Sequence, residues 1–200
     1  MEGHSHVIIG LAGAVAADSV WHLSGVPITD PATHPTTALL FAKALFYSGV
    51  AFGSLAPDMD NAHSTIGRWL GLVSRTAQHL AGHRTIFHSL FGLILWGLLG
   101  AWLQMLTVNW LTQRGLPDVA QIAAASHVLL VSLLVGYFLH LFADSLTEGG
   151  VPWLWPYRRR FGLPPNPRWR FRSGSWLEPV VVWLLVGLVI AGIWSKVLMV

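Results

Sequence analysis

Five stretches of the chain are apolar over lengths that matter in a bilayer. Residues 86–107, 122–143 and 177–199 are almost uninterrupted. A helix needs about 20 such residues to cross a hydrocarbon core of ~30 Å. Residues 37–56, TTALLFAKALFYSGVAFGSL, reach that length with Lys43 as their one charge. Residues 5–21, SHVIIGLAGAVAADSVW, are shorter, rich in small residues and closed by Asp18. In this stretch Gly10, Ala14 and Ala17 recur at helical spacing, with Gly13 beside them. Small residues in such a row predict a face pressed against other helices. The pattern predicts an all-α, polytopic membrane helix bundle of about five helices. No internal repeat or low-complexity run divides the chain, so a single domain over residues 1–200 is expected.

Composition strengthens the membrane reading. The chain is 54% hydrophobic and 10% charged, with 11 Trp. A soluble domain carries about 25% charged residues. The absence of cysteine excludes disulfides, thiolate zinc sites and Cys nucleophiles. The opening MEGHSHVIIG lacks the basic n-region of a secretory signal peptide.

Charge then sets an expected orientation. Arg68, Arg75 and Arg84 lie between the second and third apolar segments. Arg158, Arg159, Arg160, Arg168, Arg170 and Arg172 lie between the fourth and fifth. Basic loops stay on the cytoplasmic side. The N-terminus and both basic loops are therefore expected in the cytoplasm, as in a bacterial-type inner membrane protein. The segment WLWPYRRRFGLPPNPRWRFRSGSW fits an interfacial anchor, with aromatics at headgroup level and Arg drawn to anionic lipid. Nucleic acid is not an expected partner, because this basic loop is short and pinned to the membrane.

That orientation gathers the chain's unusual polar residues at one face. His4 and His6 open the first segment. Asp58 and Asp60, in APDMDNAH, end the second. His83 and His88, in GHRTIFHS, start the third, and His140 and Asp144, in GYFLHLFADSLTEGG, end the fourth. Ionisable residues at membrane depth are costly and commonly functional. Imidazole with carboxylate and no thiolate suits Zn, Mn or Fe. His140 and Asp144 are i, i+4 neighbours on one helix face, with Tyr137 a turn earlier. His83 and His88 are five apart, so either a helix starts between them or they serve different ions. Arg84 cannot ligate a metal, but its planar guanidinium suits a phosphate. A metal site at the cytoplasmic face is the expectation, with structural ion pairs as the rival. His22, His34 and His127 fall toward the opposite face.

Three motifs in order, GSLAPDMDNAHS, GHRTIFHSLFG and GYFLHLFADSLTEGGVPWLWP, resemble the successive signatures of the YdjM-like family. Metal-dependent hydrolysis in the membrane is ascribed to that family. The resemblance runs from about His4 to Pro156. The family usually has Gly after its His-Arg pair, where this chain has Thr85. More distantly, the order of ligands is similar to that of the α-helical zinc-dependent phospholipases C. That resemblance implies His4, Asp58, His83 or His88, His140 and Asp144 as metal ligands. It also implies hydrolysis of a phosphoester.

The resulting expectation is a membrane-embedded hydrolase with two or more divalent ions. Zn leads, with Mn and Fe as alternatives. Asp58 or Asp60 is the expected proton acceptor, Asp60 also a ligand, and Arg84 the group that stabilises phosphoryl charge. The substrate would be a lipid or lipid-linked phosphate. The alternative is a non-catalytic membrane protein, a metal or proton transporter or a partner-binding regulator. A transporter needs polar residues along a path through the midplane, and the middles of segments three to five carry almost none. An intramembrane metalloprotease lacks support, since there is no HExxH.

Overall fold

The structure is a computed structural model that describes residues 1–21, 36–81, 85–157 and 159–198. His83, Arg84 and Arg158 lie outside the described residues, as do His22 and His34. The described residues form seven α-helices. They are α1 (Gly3–Trp21), α2 (Thr36–Gly53), α3 (Thr65–Leu70), α4 (Leu72–Ala81), α5 (Leu90–Gln113), α6 (Val119–Ser145) and α7 (Leu177–Leu198). Among the described residues three runs are long and apolar enough to cross a membrane: Leu40–Asp60, Leu90–Gln113 and Val119–Ser145. α7 adds a shorter apolar run, Leu177–Gly192. Helix α6 has 27 residues, about 40 Å at 1.5 Å per residue. Ile94, Leu98, Trp102, Trp183 and Leu188 are exposed, so α5 and α7 offer lipid-facing surfaces.

The five long helices correspond to the five apolar segments, and α3 and α4 are additional. Their signal was present: Ser64 is a side-chain N-cap, accepting the Gly67 N–H at 2.9 Å. Both short helices pack on the turn that carries Asp58 and Asp60.

The closest packing joins α2 to α6, and glycine makes it possible. A Cβ on Gly53 would stand 2.2 Å from the Leu133 carbonyl oxygen, and one on Gly136 would stand 2.2 Å from that of Val50. Each helix thus lays its backbone against the other. Helix α1 packs on both, with Ala14, Phe46, Val50 and Val128 forming a fully buried layer between the three. The small-residue face expected on α1 is used in this way: Gly10 abuts Ser54 and Gly13 abuts Leu139.

Chain geometry at the ends of α2 and α5 differs from the expected segments. The second segment stops as helix at Gly53 and continues as a 3-10 turn, Ala56–Asp60, with Pro57 in its first turn. The third segment begins as a 3-10 turn, Ile86–His88, and becomes α-helical at Leu90. Ser89 caps α5 by accepting the Gly92 N–H at 3.1 Å. A Cβ on Gly92 would meet the Ile86 carbonyl oxygen at 2.2 Å. The α-helix proper therefore begins after His88, while helical backbone begins as the 3-10 turn at Ile86.

After α6 the chain folds back beneath the bundle. Val151 and Phe161 exchange backbone hydrogen bonds of 2.8 and 2.9 Å. The Trp153 indole donates to Ser145 Oγ at 2.9 Å, and Leu90 N–H donates to the Trp153 carbonyl at 3.0 Å. Arg170 is turned inward, whereas Arg168 and Arg172 are exposed. Its guanidinium donates to the carbonyls of Pro164 and Pro165 at 2.7 and 2.6 Å, which staples the proline-rich loop.

Candidate metal centre

The same end of the bundle gathers the beginning of α1, the turn after α2, the turn before α5 and the end of α6. His6, Asp58, Asp60, His88, His140 and Asp144 meet there, all buried. Asp58 is the most open of them, at 8% exposure.

His140 is the hub. Its Nδ1 lies 2.7 Å from the Ser54 carbonyl oxygen. That oxygen can only accept, so Nδ1 carries the proton and Nε2 presents its lone pair to the cluster. Ligating histidines are held by such a hydrogen bond. Around Nε2 lie His88 Nε2 at 3.4 Å, Asp58 Oδ1 at 3.9 Å and Asp144 Oδ2 at 4.0 Å. His88 Nε2 is 3.5 Å from Asp58 Oδ1. On the other side, the His6 ring stacks on His140 with centroids 3.7 Å apart, and His6 Nε2 lies 3.4 Å from Asp144 Oδ1. Two donor groups follow, His6–His140–Asp144 and Asp58–His88–His140, each with its ligand atoms within 4.8 Å of one another.

These residues fit a metal ion. Two ligands at about 2.0–2.1 Å in a tetrahedral shell stand about 3.3 Å apart, and the shortest donor separations here are 3.4 and 3.5 Å. His6 Nδ1 is buried without a hydrogen-bond partner, a costly arrangement. The donors are nitrogen and oxygen only, a set that suits Zn, Mn or Fe.

Electrostatics point the same way. Burial alone would push the His88 imidazolium toward its neutral form. The carboxylates of Asp58 and Asp60 outweigh that and hold its pKa up at about 9. The Met1 α-amino group is 3.0 Å from Asp144 Oδ1. Asp58 and Asp60 thus hold positive charge on His88, and Asp144 holds that of the α-amino group.

Neighbouring residues orient the ligands. Asp60 Oδ2 is 3.3 Å from His88 Nδ1, on the ring edge away from the other donors. It belongs to neither donor group, so among the described residues it holds His88 in place. The Tyr137 hydroxyl donates to the Phe87 carbonyl and fixes the turn that carries His88.

Two expected ligands lie outside both donor groups, Asp60 as just described and His4. His4 is 70% exposed at its side chain and lies 3.4 Å from Glu2 Oε2, outside the cluster. Two residues apart on a helix, at 3.6 residues per turn, His4 and His6 point to nearly opposite sides. His6 shares the inward row of Gly10, Ala14 and Ala17. That row was legible, and the histidine at its head is the one buried. His63, His79 and His127 are exposed and take no part. His83 and Arg84, the remaining expected ligand and phosphate-binding group, fall outside the described residues.

A second buried polar group was not anticipated. Near the far end of α1, Asp18 receives the Tyr47 hydroxyl at 3.0 Å and lies 3.3 Å from Lys43 Nζ. Opposite charges at matching depth on adjacent helices were the available signal.

Known proteins place this architecture. A profile of the family described as YdjM inner membrane protein matches residues 1–199. Inner membrane protein YdjM of Escherichia coli K12 is 36% identical over 110 residues, which is 55% of this chain and 48% of that protein. The Shigella flexneri protein of the same name gives the same figures. The chain thus matches about half the length of these curated relatives. Uncharacterized protein YvsG of Bacillus subtilis is 28% identical over 191 residues, covering 96% of this chain and 91% of that protein. No solved structure matches. Apolar spanning helices, a buried His/Asp cluster at their common end and a match along nearly the whole chain agree, and the chain belongs to the YdjM inner membrane protein family.

Proposed function

We propose that this protein is a metal-dependent hydrolase embedded in the inner membrane, acting on the phosphoester of a lipid or lipid-linked substrate. The observation that carries the reading is the Asp58–His88–His140 group, three buried donors from three chain segments set 3.4–3.9 Å apart. A divalent ion bound there supplies Lewis-acid polarisation and a water acidic enough to react near neutral pH. His6, His88, His140, Asp58 and Asp144 would hold the metal. Asp58 is the cluster carboxylate that also lines a polar cavity, so it is better placed than the enclosed Asp60 to take a proton. Arg84 would stabilise phosphoryl charge. The basic loops favour a cytoplasmic location for this face, with zinc as the leading metal.

The test is metal analysis of the detergent-purified chain beside a hydrolysis assay on phospholipids and polyprenyl phosphates. Turnover that needs metal and is lost in His140→Ala supports the reading. No hydrolysis by metal-loaded protein anywhere on the panel sinks it.

A transporter is the second reading, and the Asp18–Lys43–Tyr47 group favours it by placing polar residues toward the other end. The buried layer of Ala14, Phe46, Val50 and Val128 stands against it. That layer fills the space between α1, α2 and α6 on the way to the cluster.

A further inference from the structure

A polar cavity of ≈ 580 Å³ opens beside the metal centre. Asp58 is the residue of the cluster that reaches its wall, so the cavity is the cluster's approach. Arg68, His4 and His63 also line it. Among the described residues no carboxylate lies within ion-pair distance of Arg68. The other acid in the wall, Glu2, lies 3.4 Å from His4 Nδ1. Val7 and Leu55 supply an apolar side. A site with one unpaired guanidinium, two imidazoles and a short apolar wall suits a phosphate that carries a hydrocarbon group.

We infer that this cavity receives the phosphate headgroup of a membrane lipid, with Arg68 as the residue that recognises the anion. The inference rests on the proposed function and names the part of the substrate that Arg68 meets.

Local structure fixes Arg68 relative to the cluster. Ser64 Oγ donates to the Asp58 carbonyl at 2.8 Å while it caps α3. A Cβ on Gly67 would lie 1.8 Å from the Asn61 carbonyl oxygen, so α3 sits tight against the turn that follows the ligands. Arg68 is one turn beyond that cap. The next residues suit a bilayer surface. Trp69 is 87% exposed and Leu72 77%, and Val73 is exposed as well. A tryptophan and aliphatic side chains standing out beside an arginine fit the headgroup layer, where both ends of such a pair are satisfied. A headgroup entering sideways from the leaflet would meet Arg68 before Asp58.

Equilibrium binding of dioctanoyl phosphatidic acid, dioctanoyl phosphatidylcholine and inorganic phosphate to the purified full chain tests this, with and without chelator. Metal content is measured in parallel. Arg68→Ala and Arg68→Glu should weaken phosphatidic acid binding at least tenfold (about 1.4 kcal/mol) while metal content stays at the wild-type level. Arg68→Lys should recover part of the loss. Arg75→Ala, on the exposed surface of α4 and not in the cavity wall, should bind as wild type. Wild-type affinity in Arg68→Glu overturns the inference. Binding of inorganic phosphate with none of phosphatidic acid overturns the lipid assignment in favour of a soluble phosphate. Because the readout is binding, an absence of hydrolysis counts against the proposed function alone.

Discussion

His140 belongs to both donor groups, and its neighbours belong to one each. That sharing makes a prediction about stoichiometry. His140→Ala should strip metal from the whole site, whereas His6→Ala and Asp58→Ala should each spare the other group and leave partial occupancy. Metal analysis of the three variants checks this, and equal losses in all three would dissolve the two-group description. Asp60 acts at one remove, through His88 Nδ1. Loss of an orienting partner of this kind costs about 10–100-fold in metal affinity, so Asp60→Asn should bind weakly yet still fill at high metal. The raised pKa of His88 adds a pH signature. Without metal, the protonated ring stabilises the fold fully below its ordinary value of 6.5, and the contribution fades as pH rises through about 9. Metal needs the neutral ring, so binding releases a proton and strengthens over the same interval. Thermal unfolding with and without chelator should diverge as pH rises, and a constant gap would remove His88 from the ligand set. At this scale the sequence revealed the residue types and their common face. The signal that separates His4 from His6, the small-residue row on the inward side of α1, was present, but the order of ligands in the similar phospholipases C pointed to His4.

Between elements, the decisive contact is α2 against α6. One leads directly into the turn with Asp58 and the other carries His140 and Asp144. Gly53→Ala and Gly136→Ala would each press a methyl group into a carbonyl of the facing helix. Overpacking of this kind costs about 1–3 kcal/mol, and here it would also spread the ligands. Both variants should unfold at lower temperature and bind metal less tightly. Gly187→Ala, in open space on α7, is the control and should match wild type in both measurements. If Gly53→Ala keeps full metal affinity while losing stability, the helix pair is not what sets the ligand spacing. The long helices were legible because apolar length is a direct physical requirement of the bilayer. The short helices α3 and α4 were not read, because they have only 6 and 10 residues and their exposed apolar side chains, Trp69, Leu72 and Val73, blur the amphipathic pattern.

For the whole molecule, orientation decides which leaflet supplies a substrate. The basic loops predict reporter fusions at Pro117 and after Val200 on the non-cytoplasmic side. A cytoplasmic signal at Pro117 would move the cluster to the opposite face and end the case for a cytoplasmic substrate. Not all the arginines that support this prediction are equivalent. Arg170 is committed to the loop carbonyls, so among the described residues of this loop the arginines left to meet anionic lipid are Arg159, Arg160, Arg168 and Arg172, which are exposed. Their number was readable from sequence, but which one turned inward depended on how the proline-rich loop closes. The last helix has a comparable inward contact at its start. Glu178 accepts the Glu2 backbone N–H at 2.8 Å and the Gly174 N–H at 2.8 Å, which ties the beginning of α7 to the beginning of α1. On a ribosome these two ends are separated by nearly the entire translation time. His6 enters the bilayer early, Asp144 much later, and the tether from Glu178 after both. The donors are therefore made in the order of the chain and are complete at Asp144, and the tether from Glu178 is added to a set already whole.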